Sequence, residues 1–272
     1  MSAQDRALTR RHLLPAQAAL EDLFLRLRAD TDRAIGPTTR TYAGKPYPYG
    51  CCLEITNDVL ERLKARIARP DHEGVRAVRA FLTAGGRGQR VWGVLRGRYF
   101  QNALQFGGLY VDVANDTVDG AKPKVEILPM AEAGLEAVRD AWHFAAVAEA
   151  YWGLRIFANH ALPSLAPLLP MIGLRPDGRL RLRGTSGYML DLFQSDGFVR
   201  AEDWLGRGPV PPRPVVEALR AACSEELLAA NPSAGAEAAV LACRAARASG
   251  RAASREWRAA RLAEFQQIGG AR

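Results

Sequence analysis

The chain has 272 residues, 37 basic against 29 acidic for a net charge of +8; 48% are hydrophobic and 24% charged. That balance belongs to ordinary folded domains and excludes a disordered chain, a collagen-like repeat and a small disulfide scaffold. A chain of this length buries roughly 70–75% of its unfolded surface, enough for a core that needs no metal or disulfide staple.

Over 8–34, Leu13, Ala16, Leu20, Leu23, Phe24 and Leu27 recur at helical spacing, which predicts an N-terminal helix (1–35) ended by Gly36 and Pro37, with Pro15 tolerated in a first turn if the helix proper begins near Leu14. The stretch 38–50, with Tyr42, Tyr47 and Tyr49 among turn-forming residues, reads as a loop. The periodicity predicts a helix over 53–68, with Cys52, Ile55, Val59, Leu63 and Ile67 on one face, and a shorter one over 71–84. The glycines at 85, 86 and 88 lack the preceding strand and following helix of a phosphate loop and read as a turn.

Three β-rich runs, 91–95, 98–104 and 109–113, are separated by Gly97 and by Gly107 and Gly108, and 124–128 adds a fourth. This is an antiparallel meander in sequence. The segment 135–158 is apolar nearly all round and predicts a central buried helix. Residues 156–174 carry no formal charge and are long enough to span a bilayer. Pro163, Pro167 and Pro170 would break the hydrogen bonding that hydrocarbon demands, so a buried loop and no membrane span are expected. Residues 179–183 alternate arginine and leucine as an edge strand does.

The run 206–214 reads as a proline-rich linker, and 215–272 as a helical, basic segment broken near Asn231 and at Gly250. The expected division is therefore an N-terminal helix (1–35), a core domain (36–205), a linker (206–214) and a C-terminal segment (215–272). The predicted fold class is α+β: a small antiparallel meander packed against helices, with a helical C-terminal segment.

Chemistry concentrates just before the helix at 53–68. A thiol at a helix N-terminus feels the positive end of the dipole, which lowers its pKa. Gly50 also lets backbone N–H groups approach an oxyanion closely. Cys52 equally continues the apolar face of its helix and fits a small core residue. Gly50, Cys51 and Cys52 open a helix, and a meander follows with Asp112 in the run Tyr110, Val111, Asp112, Val113, Ala114. In this order of elements, residues 47–118 resemble the core of papain-like and transglutaminase-like cysteine enzymes. The resemblance implies Cys52 as nucleophile and Asp112 as the acid that orients the base.

The histidine of that family is replaced here. The strand that should bear it reads Tyr99, Phe100, Gln101, Asn102, Ala103, and an amide cannot take a proton from a thiol at neutral pH. Of the four histidines, His12 and His72 read as solvated and His143 as a core residue. His160, at the end of the predicted apolar helix, is the expected replacement base. Asp112, Asp116 and Asp119 suit either a divalent cation or the capping of turns, and capping is expected.

The excess positive charge points to an acidic protein or a nucleic acid as partner. It is nearly all arginine, lysine standing only at Lys45, Lys64, Lys122 and Lys124, and with so many Ala and Gly this reads as a GC-rich coding bias more than as selection for phosphate contacts. Arg244, Arg247, Arg251, Arg255 and Arg258 recur at helical spacing with Glu256 the sole acid over 241–263, which predicts a basic stripe that solvent, a nucleic-acid backbone, an acidic partner or an acidic face of this same protein would offset. Cys51, Cys52, Cys223 and Cys243 have no zinc-like spacing and are expected to be free thiols of a reducing cytoplasm. No metal and no cofactor are expected, and no apolar signal stretch opens the chain. The residues support two functions. One is a cysteine-dependent acyl-transfer or amide-hydrolysing enzyme working through Cys52, Asp112 and His160. The other is a non-catalytic binding or adaptor module docking an acidic partner or nucleic acid through the arginine stripe.

Overall fold

In the computed structural model, which describes residues 2–39 and 44–269, the N-terminal apolar stripe is not one helix. Helix α1 (Ala3–Leu8) starts at a capping box, the Ser2 hydroxyl accepting from the Asp5 N–H and the Asp5 carboxylate accepting from the Ser2 N–H. Pro15 cannot donate to a helical ladder, and the chain passes through a wide turn (Thr9–Leu13) and a tight one (Leu14–Ala16) before α2 (Gln17–Ile35). Tyr42 of the predicted aromatic loop lies outside the described residues.

The chain is α+β and divides into two compact units, Met1–Ala137 and Val138–Arg272. The boundary falls inside the segment 36–205 expected to be one core, and both flanks of the expected linker belong to the second unit.

In the first unit, α2 is followed by α3 (Cys52–Ile67) and α4 (Glu73–Thr83). His72 caps α4, its Nδ1 accepting from the Gly74 N–H at 3.0 Å. The strands are β1 (Gly88–Leu95), β2 (Tyr99–Phe106), β3 (Leu109–Asp112), β4 (Glu126–Pro129) and β5 (Leu135–Glu136), all antiparallel, in the order β4-β3-β2-β1-β5. The predicted meander is present, and its turns sit at glycines in the left-handed region, Gly97 at φ +65 and Gly107 at φ +53. One face of the sheet carries Leu104, Phe106, Leu109 and Val111 into the main core with Leu20, Phe24, Ile55, Val59 and Phe81 of the helices. The other face carries Ala103 and Tyr110 into a smaller core with Leu95 and Ala133. These two faces decide what Cys52 and Asp112 can do.

In the second unit, α5 (Ala141–Trp152) begins at Asp140, whose carboxylate accepts from the His143 N–H at 2.7 Å, and ends at Gly153 with φ +63. The expected buried helix over 135–158 is therefore corrected. Strand β5 precedes α5, strand β6 (Arg155–Ala158) follows it, and Trp142 remains 40% exposed. Strands β7 (Met171–Leu174) and β8 (Leu180–Arg183) complete an antiparallel sheet in the order β6-β7-β8, so 180–183 is an edge strand as its alternation predicts.

The proline-bearing segment between β6 and β7 is a buried loop. Asn159 holds it, donating from Nδ2 to the Leu169 carbonyl at 2.9 Å and accepting from the Leu162 N–H at 3.2 Å. Among the described residues, no helix is long and apolar enough to cross a membrane. Helices α6 (Gly187–Gln194), α7 (Val199–Arg207), α8 (Arg213–Ala221), α9 (Glu225–Ala229), α10 (Ala236–Ala248) and α11 (Arg255–Gln266) follow. The stretch 206–214 is not a linker. Its ends lie in α7 and α8, Gly208 and Pro211 are buried, and the Pro209 carbonyl accepts from the Ala158 N–H of β6 at 2.9 Å.

Candidate functional site

Loop 47–51 delivers the thiols to α3. Gly50 adopts φ +73, and its N–H donates to the Thr117 carbonyl at 3.1 Å, pinning the loop to the segment after β3. Cys51 is the residue before the helix and is buried, and burial with the nearby Glu54 charge pushes its thiol up to about 11. Cys52 is the first helical residue and is half-buried.

The partner of Cys52 is an amide. Asn102 Nδ2 donates to Cys52 Sγ at 3.5 Å, and the Asn102 carbonyl accepts from the Thr56 hydroxyl at 3.2 Å, so α3 is docked onto β2 at this residue. Burial raises the pKa of Cys52, outweighing the bonds from Asn102, and the charges of Asp112 and Glu54 act in the same direction as burial. The lowering expected from the helix N-terminus is overturned, and the group is a thiol at neutral pH.

Asp112 is completely buried and has other company. It accepts from Gln101 Nε2 at 2.9 and 2.8 Å, from the Tyr110 hydroxyl at 2.9 Å and from the Ala114 N–H at 2.8 Å. Burial pushes it up to about 6 despite these donors. Gln101 and Asn102 are neighbours on β2, and successive strand residues point to opposite faces. Cys52 therefore meets the helix-side face of the sheet, while Asp112 lies on the face it shares with Tyr110. The two residues that the resemblance pairs are not brought into one site, and the acid orients a glutamine amide instead of a base.

His160 is buried in the second unit, just after β6. Its Nε2 donates to the Leu205 carbonyl at 2.7 Å, and its own carbonyl accepts from the Gly235 N–H at 2.8 Å. It ties loop and helix backbone within that unit. Of the other histidines, His72 caps α4 with Nε2 2.8 Å from Asp22. His143 lies at the start of α5, Nδ1 accepting from the Arg139 N–H at 3.3 Å, and is not the core residue expected.

The acidic cluster is structural. Asp116 forms a two-bond ion pair with Arg28, Nη1 to Oδ1 at 2.7 Å and Nη2 to Oδ2 at 3.0 Å. Arg28 is completely buried and also donates to the Val113 carbonyl at 2.9 Å and to Asp32 at 2.7 Å. Burial opposes its charge, yet the bonds from Asp116 and Asp32 raise its pKa above the ordinary value. Asp32 gathers the Tyr47 hydroxyl at 2.6 Å and Lys124 Nζ at 2.5 Å as well. The network locks α2, loop 47–51 and the segment after β3 together. Its signal lies in the spacing Leu20, Phe24, Arg28, a charge on a buried helical stripe. Asp119 accepts from the Ala121 N–H at 3.0 Å, an ordinary turn. No group of three metal-ligating side chains occurs among the described residues.

The arginine stripe is broken at Gly250, φ +68, which separates α10 from a short turn (Arg251–Ala253) and α11. Arg244 and Arg247 both pair with Glu202 at 2.7 Å, and Arg258 pairs with Asp191 and donates to Gln194. Of the five, only Arg251 and Arg255 are exposed without an ion pair among the described residues. The other three predicted partner-binding residues are held by acids of their own unit.

Comparison with family models, with curated proteins and with solved structures finds no match to this chain.

Proposed function

We propose that this protein is a non-catalytic binding module, whose first unit keeps the order of elements of papain-like and transglutaminase-like cysteine enzymes without their chemistry. The observation that carries this reading is the amide of Asn102 at 3.5 Å from Cys52 Sγ. Acyl transfer by a thiol needs a group that removes its proton, and an amide has no such capacity. Burial keeps Cys52 protonated, and the carboxylate of Asp112 is taken up by Gln101, Tyr110 and Ala114. The net charge of +8 and the uncompensated Arg251 and Arg255 favour an acidic partner. All four cysteines are free, which suits a reducing cytoplasm as the place of action.

The test is alkylation of the full chain with iodoacetamide at neutral pH, each cysteine followed by mass spectrometry. Cys52 should label no faster than the half-buried Cys223, and no ester or amide substrate should turn over. Rapid, selective labelling of Cys52, with turnover abolished by Cys52→Ala, would restore the enzyme reading.

A further inference from the structure

Strand β8 is a sheet edge, and the hairpin before it reveals which of its groups face outward. The Arg175 N–H donates to the Arg179 carbonyl at 2.9 Å, and the register places Gly173 opposite Arg181 and Met171 opposite Arg183. Antiparallel ladders alternate bonded and non-bonded pairs. Arg179, Arg181 and Arg183 are therefore the bonded members, and Leu180 and Leu182 direct their N–H and C=O groups off the edge. Among the described residues nothing bonds to those groups.

A groove of about 330 Å3 runs beside them, at the small end of ligand pockets. Leu180, Leu182, Leu219, Phe265 and Ile268 give it an apolar wall, and its lining holds Arg179 and Arg181 but no acid. Leucines from one face of β8 and arginines from the other line the same groove, so it follows the edge of the sheet. Short edges bearing cations ordinarily resist pairing, but here a cleft leaves room for another strand.

We propose that this edge accepts an extended acidic peptide of alternating apolar and acidic residues as a fourth strand, an inference that rests on the binding reading and names its partner class. The peptide backbone would answer the outward groups of Leu180 and Leu182. Its apolar side chains enter beside Leu219 and Phe265, and its carboxylates meet Arg179 and Arg181. Arg181 has no ion pair among the described residues, while Arg179 reaches only Asp177, at 3.2 Å on the surface. A fatty acid would suit the wall and the arginines, but its tail offers nothing to the edge hydrogen-bonding groups.

The test titrates the full chain into a fluorescein-labelled peptide of alternating Glu and Val. Saturable binding is expected, weakened about tenfold or more by Arg181→Glu, because an attraction becomes a repulsion. Methylating the peptide nitrogens on one side of its strand should weaken binding comparably without altering the protein, and a peptide with Lys in place of Glu should not bind. The inference is overturned by absence of binding, by indifference to methylation, by displacement with dodecanoate, or by a protein dimer that the peptide dissociates. None of these outcomes depends on Cys52, whose turnover would overturn the binding reading separately.

Discussion

The Nδ2 of Asn102 and the Sγ of Cys52 stand 3.5 Å apart, an amide donating to a half-buried thiol. Proton transfer needs that distance and also needs a basic atom at its end. Here the geometry is present and the base is not. The same contact has a structural use, since Asn102 also receives the Thr56 hydroxyl and so fixes α3 on β2.

Replacing the amide by an imidazole isolates the missing property. Asn102→His should lower the apparent pKa of Cys52 and raise its alkylation rate at neutral pH by roughly tenfold, as neighbouring imidazoles do for thiols. Turnover should remain absent, because Asp112 faces the other side of β2 and cannot orient the new ring. An alkylation rate unchanged from the parent, with Cys52 still accessible to a small thiol reagent at high pH, would show that burial alone controls the group.

Asp112 supplies a pH dependence whose sign is fixed by burial. Its folded-state pKa is about 6, above the ordinary 3.8. Stability from this group is therefore complete below the unfolded value and lost as pH rises through about 6. Asp112→Asn removes the buried charge, and Gln101 can turn its unbonded Oε1 toward the new amide. The variant should gain on the order of 2–3 kcal/mol at pH 8 relative to pH 4, since folded and unfolded pKa values that differ by about one correspond to about 1.4 kcal/mol. Hydrogen exchange of β2 and β3 amides reports this for the first unit alone. An equal loss of protection at both pH values would mean that the carboxylate is needed for its hydrogen bonds.

The periodicity of α3, the glycine turns of the meander and the alternation of 179–183 are all readable from local pattern. What is not readable depends on contacts between distant residues. Whether Asp112 joins Cys52 is decided by the pairing of β3 with β2, and the adjacent Gln101 and Asn102 carry the two residues to opposite faces. The helix expected over 135–158 is too long because its hydrophobicity outweighs Gly153 and Asp140, both of which are punctuation that the sequence displays. The proline run 206–214 resembles a spacer because prolines lack donors, yet the Pro209 carbonyl still accepts from β6.

The Arg28 network should show the asymmetry of buried ion pairs. Arg28→Met leaves Asp116 buried without a cation and should cost about 3–5 kcal/mol in urea unfolding. Arg28→Met with Asp116→Leu removes both charges and should recover much of that loss, although Asp32 keeps only Tyr47 and Lys124. A double variant less stable than the single one would show that Asp116 has a second role, in holding the segment after β3.

The basic C-terminal residues offer a comparison between pairs of equal charge. Arg244→Gln with Arg247→Gln removes two cations that share Glu202, whereas Arg251→Gln with Arg255→Gln removes two that have no ion pair among the described residues. Glutamine keeps helix propensity nearly unchanged, so backbone effects are small. The first pair should lower stability by about 0.5–1 kcal/mol, because exposed ion pairs contribute little, and the second should leave stability unaltered. Retention on heparin should fall more for the second pair, since its charges are the ones available to a polyanion, and its salt dependence should flatten accordingly. Equal falls for the two pairs would reduce the effect to net charge. A larger fall for Arg244 and Arg247 would mean that a polyanion displaces Glu202 and that the broken stripe still acts as one surface.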